Sequence, residues 1–224
     1  WTFFDDNCPD TGADGVVDFT IGECNIAGSD YAFAPYVNLP VDPFTITVTD
    51  YGDVSTGVPA SLGAYIDLAV SGIPTGDYDF VDGDYPSFCG QEDVYIYFGQ
   101  PYPVKIASSL YPLPTELTSQ GAGNYTTEKL AVLNWAINHI QDYVSYPVDY
   151  TNMAGNDPAL WVGLQKGIWY VLGEPSGVAQ AWDTDANAHT DYVPLPGEWA
   201  LNILYSVDAK EVPTMQLQIV FLDP

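Results

Sequence analysis

In 224 residues this chain carries 30 Asp and Glu against 4 Lys and Arg, a formal charge of −26, while 47% of it is hydrophobic and 14% aromatic. That much apolar side chain excludes a disordered acidic tail and points to a folded core under an anionic coat. Nucleic acid and anionic membrane surfaces are excluded as partners, since phosphate contacts need the Lys and Arg that are scarce here. Self-repulsion on this scale calls for screening salt or bound divalent cations.

From the start of the chain, Trp1 in place of Met reads as the end left when an export signal is removed, which predicts a secreted, extracellular product. No apolar run reaches the roughly 18 residues a transmembrane helix requires, so no membrane insertion is expected. Cys8 and Cys24 lie in a Gly- and Asp-rich segment and are expected to close a disulfide loop in an oxidising compartment. Cys89 is then left over. An odd cysteine in a secreted protein can pair between chains, react, or sit buried and inert.

Phe44-Thr45-Ile46-Thr47-Val48-Thr49 alternates apolar and hydroxyl residues, the period-2 pattern of a half-buried strand. Tyr65–Val70 and Val94–Phe98 are further strand candidates, and Pro74–Asp77 and Val81–Asp84 read as turns. Leu130, Leu133, Ile137 and Ile140 recur at helical spacing and predict a helix over 126–143. A second helix, 158–172, is punctuated by Asp157 as N-cap, Pro158 at its first position and Gly173 after its end. Two strands close the chain, one with Trp199, Leu201, Ile203 and Tyr205 on one face, the other running Met215–Phe221. The expected fold is mainly β, sandwich- or barrel-like, with a helical insertion of those two helices, in a single domain over 1–224. Within it, residues 1–76 hold the disulfide and the N-terminal strands.

Three segments of the remaining part, 77–224, carry a resemblance. Phe88-Cys89 is followed by Asp93, Ile96, Gly99 and Tyr102, then Ser108-Ser109-Leu110; Lys129 to Asn138 forms the next segment; and Leu164-Gln165-Lys166-Gly167-Ile168-Trp169 the last. Together they resemble the thioester domains of bacterial surface adhesins, in which a Gln-containing helix is written Thr-Gln-x-Ala-Ile-Trp. The resemblance implies that the Cys89 sulfur attacks the Gln165 carboxamide, expels ammonia and leaves an internal thioester, a stored electrophile for an amine on a host or neighbouring surface. This chain departs from the pattern with Leu164 before the glutamine and Gly167 where the family has Ala. Glycine inside a helix costs about 1 kcal/mol relative to alanine, so Gly167 is expected to answer a packing need.

Asp183, Asp185, Asn187 and Asp191 stand at positions 1, 3, 5 and 9 of a calcium-loop-like run, without the Gly and Glu that complete an EF-hand. They are candidate calcium ligands, and solvated acidic turns are the alternative. Asp5, Asp6, Asn7, Asp10 and Asp14, and Asp79, Asp82 and Asp84, form two more acidic clusters. Asn124-Tyr125-Thr126 matches the glycosylation acceptor pattern. His139 and His189 fit no zinc or nucleophile-elbow pattern.

Three functions stay open: a self-assembling filament or surface-layer subunit, a covalent thioester adhesin, and a secreted enzyme or sugar-binding module. A non-enzymatic structural or adhesive protein leads. The apolar ends Trp1–Phe4 and Gln216–Phe221 are the candidates for adding a strand to another copy of the chain.

Overall fold

The alternating run that opens at Phe44 forms β1 (Phe44–Asp50), with Phe44, Ile46 and Val48 buried and Thr45 and Thr47 half-buried between them. The computed structural model describes residues 37–50, 65–91, 97–114, 117, 125–150, 158–195, 197–207 and 215–221. The chain divides into two units, Trp1–Phe33 and Ala34–Pro224, and every described residue belongs to the second. Cys8, Cys24, Asn124, the Trp1–Phe4 end and the Asp5–Asp14 cluster lie outside the described residues, as does Val94–Phe98 up to residue 96.

β1 pairs antiparallel with β2 (Ile66–Ser71), whose Leu68 and Val70 point to the same core as Ile46 and Val48. Two strands were not legible as such. β3 (Gly83–Cys89) begins at Gly83 and Asp84, where the sequence predicts a turn, and β4 (Pro101–Ser108) starts on a proline. Pro86 sits where the strand is paired on one side alone, and Pro103 at the end of its second ladder, where its carbonyl still accepts from the Val207 N–H at 3.2 Å. Pro86 pairs with Asp67 of β2, while the ladder with the C-terminal strand starts at Ser87. Pro103 pairs with Thr45 of β1, while the ladder with the next strand starts at Val104. Proline is tolerated at such edge-like positions because its missing N–H takes no bond from a ladder.

Thr126 caps α1 (Thr127–His139) by accepting from the Lys129 N–H at 3.3 Å, and Glu128 sits in the first turn. A 3-10 turn, Ile140–Tyr143, extends the helix, so the span predicted over 126–143 is an α-helix with a tightened end. α2 (Pro158–Leu172) stops at Gly173, whose φ of +84° is the left-handed conformation glycine adopts without penalty. The Lys129 ammonium donates to the Leu172 carbonyl at 3.1 Å, so one helix supplies the cation that caps the other.

β5 (Trp199–Ser206) and β6 (Met215–Phe221) complete an antiparallel, curled sheet in the order β1-β2-β3-β6-β5-β4, with β1 also bonded to β4. The chain is thus mainly β, with helices between β4 and β5. β5 is buried on both faces. Leu204 joins Phe44, Ile46, Leu68, Phe80 and Val104 on one side of the sheet, while Leu201, Ile203 and Tyr205 join the helices on the other. The Asn138 carboxamide fastens α1 to the start of β5, accepting from the Trp199 N–H and donating to the Trp199 carbonyl, both at 2.8 Å. Asn134, one turn earlier, accepts from the Leu201 N–H at 3.0 Å and donates to Ser109 Oγ at 3.0 Å.

Candidate functional site

Cys89 is the last residue of β3, and the β2–β3 ladder reaches only Ile66↔Ser87. Beyond that point β3 continues against β6, with Cys89 opposite Gln216. The hydrogen-bonding groups of the Cys89 backbone are taken up by a side chain. Its N–H donates to Gln165 Oε1 at 2.8 Å, and its carbonyl accepts from Gln165 Nε2 at 2.8 Å. Gln165 comes from the middle of α2 and is 1% exposed. A residue 76 positions away in sequence thus has its carboxamide seated on the backbone of the residue that carries the thiol.

Burial of an amide is affordable only when both its ends are bonded, and both are. The bond from the Cys89 N–H points at the carboxamide oxygen, where negative charge would gather if a nucleophile attacked the adjoining carbon. The thiol itself donates to the Gln91 carbonyl at 2.8 Å. Cys89 is half-buried, whereas Gln165 is sealed in the core.

The opposite side of α2 explains why Gln165 is held so firmly. The chain turns back after Gly173 and lays residues 178–182 along the helix, with the Val178 N–H donating to the Lys166 carbonyl at 3.1 Å. A methyl on Gly167 would stand 2.2 Å from Trp182 Cζ2, and one on Gly163 would stand 3.2 Å from Gln180 Oε1. Gly167 answers a packing need, as its cost in a helix implied: it admits the buried Trp182 ring. Trp169, one turn after Gln165, leaves its indole N–H buried without a partner among the described residues and carries the Lys166 ammonium over its ring at 5.8 Å.

Tyr125, immediately before the α1 cap, was not singled out by the sequence. Its hydroxyl is buried with no hydrogen-bond partner among the described residues. Burial first, then the charges of Cys89 and Glu174, push its pKa well above the ordinary phenol range. A buried orphan hydroxyl leaves no mark on a sequence, since Tyr125 reads there as one more aromatic.

The carboxylates of the acidic run at 183–191 make bonds within the protein. Asp183–Ala186 forms a single helical turn, and Asp183 is buried with its Oδ2 accepting from the Gln180 N–H. Asp185 accepts from the Tyr143 hydroxyl, which pushes that phenol up to about 12. The Asn187 N–H bonds the Asp183 carbonyl at 3.0 Å. Asp82 of the second cluster caps the turn at Gly72 and Ile73 through its two carboxylate oxygens. Among the described residues no three His, Cys, Asp or Glu side chains are grouped to hold a metal ion. No described helix is long and apolar enough to cross a membrane.

Both histidines flank one indole: His139 stacks on Trp135 at 4.3 Å between centroids and His189 at 4.7 Å. Comparison with known proteins gives no matching family model, no matching curated protein and no matching solved structure.

Proposed function

We propose that this chain is an extracellular adhesive protein that forms an internal thioester between Cys89 and Gln165 and uses it once, to acylate an amine on a partner surface. One observation carries the reading: the Gln165 carboxamide is bonded at both ends to the backbone of Cys89. Thioester formation needs a thiol and an amide held together by a scaffold that does not let them separate, because orientation supplies much of the barrier reduction. The Cys89 N–H on Oε1 stabilises the oxyanion of the tetrahedral adduct, and the Gly163/Gly167 face packed under Gln180 and Trp182 keeps α2 from rotating away. The product is a single-use reagent, so the protein is not an enzyme. On this reading the curled sheet is a barrel and the helices an insertion that brings Gln165 to the end of the cysteine strand.

The filament reading has less behind it. β6, the C-terminal strand offered for pairing with another copy, has β3 on one edge and β5 on the other.

Intact-mass measurement tests the proposal. The chain should be about 17 Da lighter than its sequence mass through loss of ammonia, and methylamine should add at Gln165. An unmodified mass, with Cys89 alkylated under native conditions, overturns it.

A further inference from the structure

β5 carries a carboxamide that the fold buries and does not bond. Asn202 is 1% exposed, and neither its Oδ1 nor its Nδ2 meets a hydrogen-bond partner among the described residues. The carboxamides of Asn134, Asn138 and Gln165 are each bonded at both ends. An unbonded buried amide is costly, and a fold tolerates one where something else completes it. We propose that Asn202, with Ser87 and Ser108, forms a binding site inside the curled sheet for a small uncharged guest that offers a hydrogen-bond donor and an acceptor side by side. This site is independent of the Cys89–Gln165 pair.

The register brings the three side chains to one face. Asn202 pairs with Ser108 of β4 on one side and with Gln218 of β6 on the other, and Gln218 pairs in turn with Ser87 of β3. Alternation along each strand then fixes the face. Leu204, two residues from Asn202, and Ile106, two from Ser108, belong to the core with Phe44 and Val104, and Tyr85, two from Ser87, packs against it. The intervening Ile203, Ala107 and Phe88 belong to the core on the helix side. Ser87 and Ser108 are as buried as Asn202, at 0% and 3% exposed. Ser87 Oγ donates to the Ile66 carbonyl at 3.1 Å, and Ser108 Oγ accepts from the Leu110 N–H at 3.2 Å. Those bonds leave an acceptor at Ser87 and a donor at Ser108 among the described residues.

The chemistry of these three residues selects the guest. They present donors at Asn202 Nδ2 and Ser108 Oγ and acceptors at Asn202 Oδ1 and Ser87 Oγ, and none is charged. A buried ion without a counter-charge is too costly, so the guest is neutral. It is also small. Leu204 and Ile106 close the polar layer on one side, and on the other Ala200 packs with Val37, Leu39 and Leu110. The Val37 N–H donates to the Tyr111 hydroxyl at 3.1 Å, which holds that segment over this end of the sheet. Ser87, Ser108 and Ala200 take up less of the interior than the Leu, Ile, Val and Phe side chains beside them. A pair of ordered waters and a primary carboxamide share the required chemistry.

Crystals of the full chain grown with and without acetamide test the site. Density bonded to both ends of the Asn202 carboxamide supports it: waters in the plain crystals assign solvent as the guest, and acetamide replacing them assigns a carboxamide. In the second case acetamide should also raise the melting temperature, by about 3 °C or more at ten times its Kd. Acetamide in the crystal with no rise in the melt is binding at crystal concentration only and leaves water as the guest. The Asn202→Leu variant should lose both the density and the rise. No density bonded to Asn202 in either crystal, Asn202 bonded by protein groups alone, or a guest that stays in Asn202→Leu overturns the site. Should that variant not fold, Ser108→Val takes its place, since valine fills the layer and removes a donor, and a guest that it leaves undisturbed overturns the site as well. The intact-mass test of the thioester is unaffected by any of these outcomes.

Discussion

Gln165 and Asn138 make the same contact with different consequences. Each carboxamide bridges the N–H and carbonyl of one strand residue, Cys89 in one case and Trp199 in the other. Only at Cys89 does the bridged residue carry a nucleophile. Gln165→Ala should therefore remove both the mass loss and about 2 kcal/mol of stability, by taking two hydrogen bonds from the part-buried Cys89 backbone. Asn138→Ala should cost a similar amount in denaturant titration without touching the chemistry. Gly167→Ala is a sharper case, since alanine favours a helix by about 1 kcal/mol over glycine. The 2.2 Å approach to Trp182 reverses that preference. Overpacking of this kind costs about 1–3 kcal/mol, so the variant should show a lower urea midpoint, and Trp182→Leu should relieve the clash.

At the scale of elements, the two helices were legible and the way they meet was not. Pro158 and Gly173 announce the ends of α2 through capping chemistry that acts within one turn, while Asp157, the expected N-cap, lies outside the described residues. The Lys129 bond to Leu172 joins the start of α1 to the end of α2 across 43 positions, and nothing local encodes it. Lys129→Met keeps the stem and removes the charge, and should lower stability by about 1 kcal/mol, less at high salt, in parallel melts. β3 and β4 escaped because Pro86, Pro101 and Pro103 read as strand breakers. Their tolerance depends on which neighbour is present at that register, a fact of the sheet and not of the segment.

For the molecule as a whole the charge of −26 dominates. Like charges repel through solvent, and salt screens them beyond about 8 Å at physiological strength, so the melting temperature should climb with added sodium chloride. Lack of a salt response would show that the carboxylates are already neutralised, by bound cations among other means. Acidity acts in the same direction through Asp183, whose buried carboxyl is pushed above the ordinary carboxylate range chiefly by desolvation, opposed by the Gln180 N–H. The native state then holds that proton more tightly than the unfolded chain. Stability is unpenalised below the unfolded value and falls as pH rises from there through the raised one. Asp183→Asn should flatten that part of the profile in melts taken across the acid range.

The sequence by itself determined the anionic surface, the strand alternation of β1, β2 and β5, the helix ends and the demand for space at Gly167. Each is a property of composition or of residues within a few positions, where periodicity and capping operate. Tertiary structure alone decided that Gln165 rests on Cys89, that Asp183 and Asp185 turn to Gln180 and Tyr143, and that Tyr125 is left with a buried hydroxyl unbonded among the described residues. These are contacts between distant segments, chosen by how α2 and its return segment pack, and the same residue types would read identically in a chain that kept them apart.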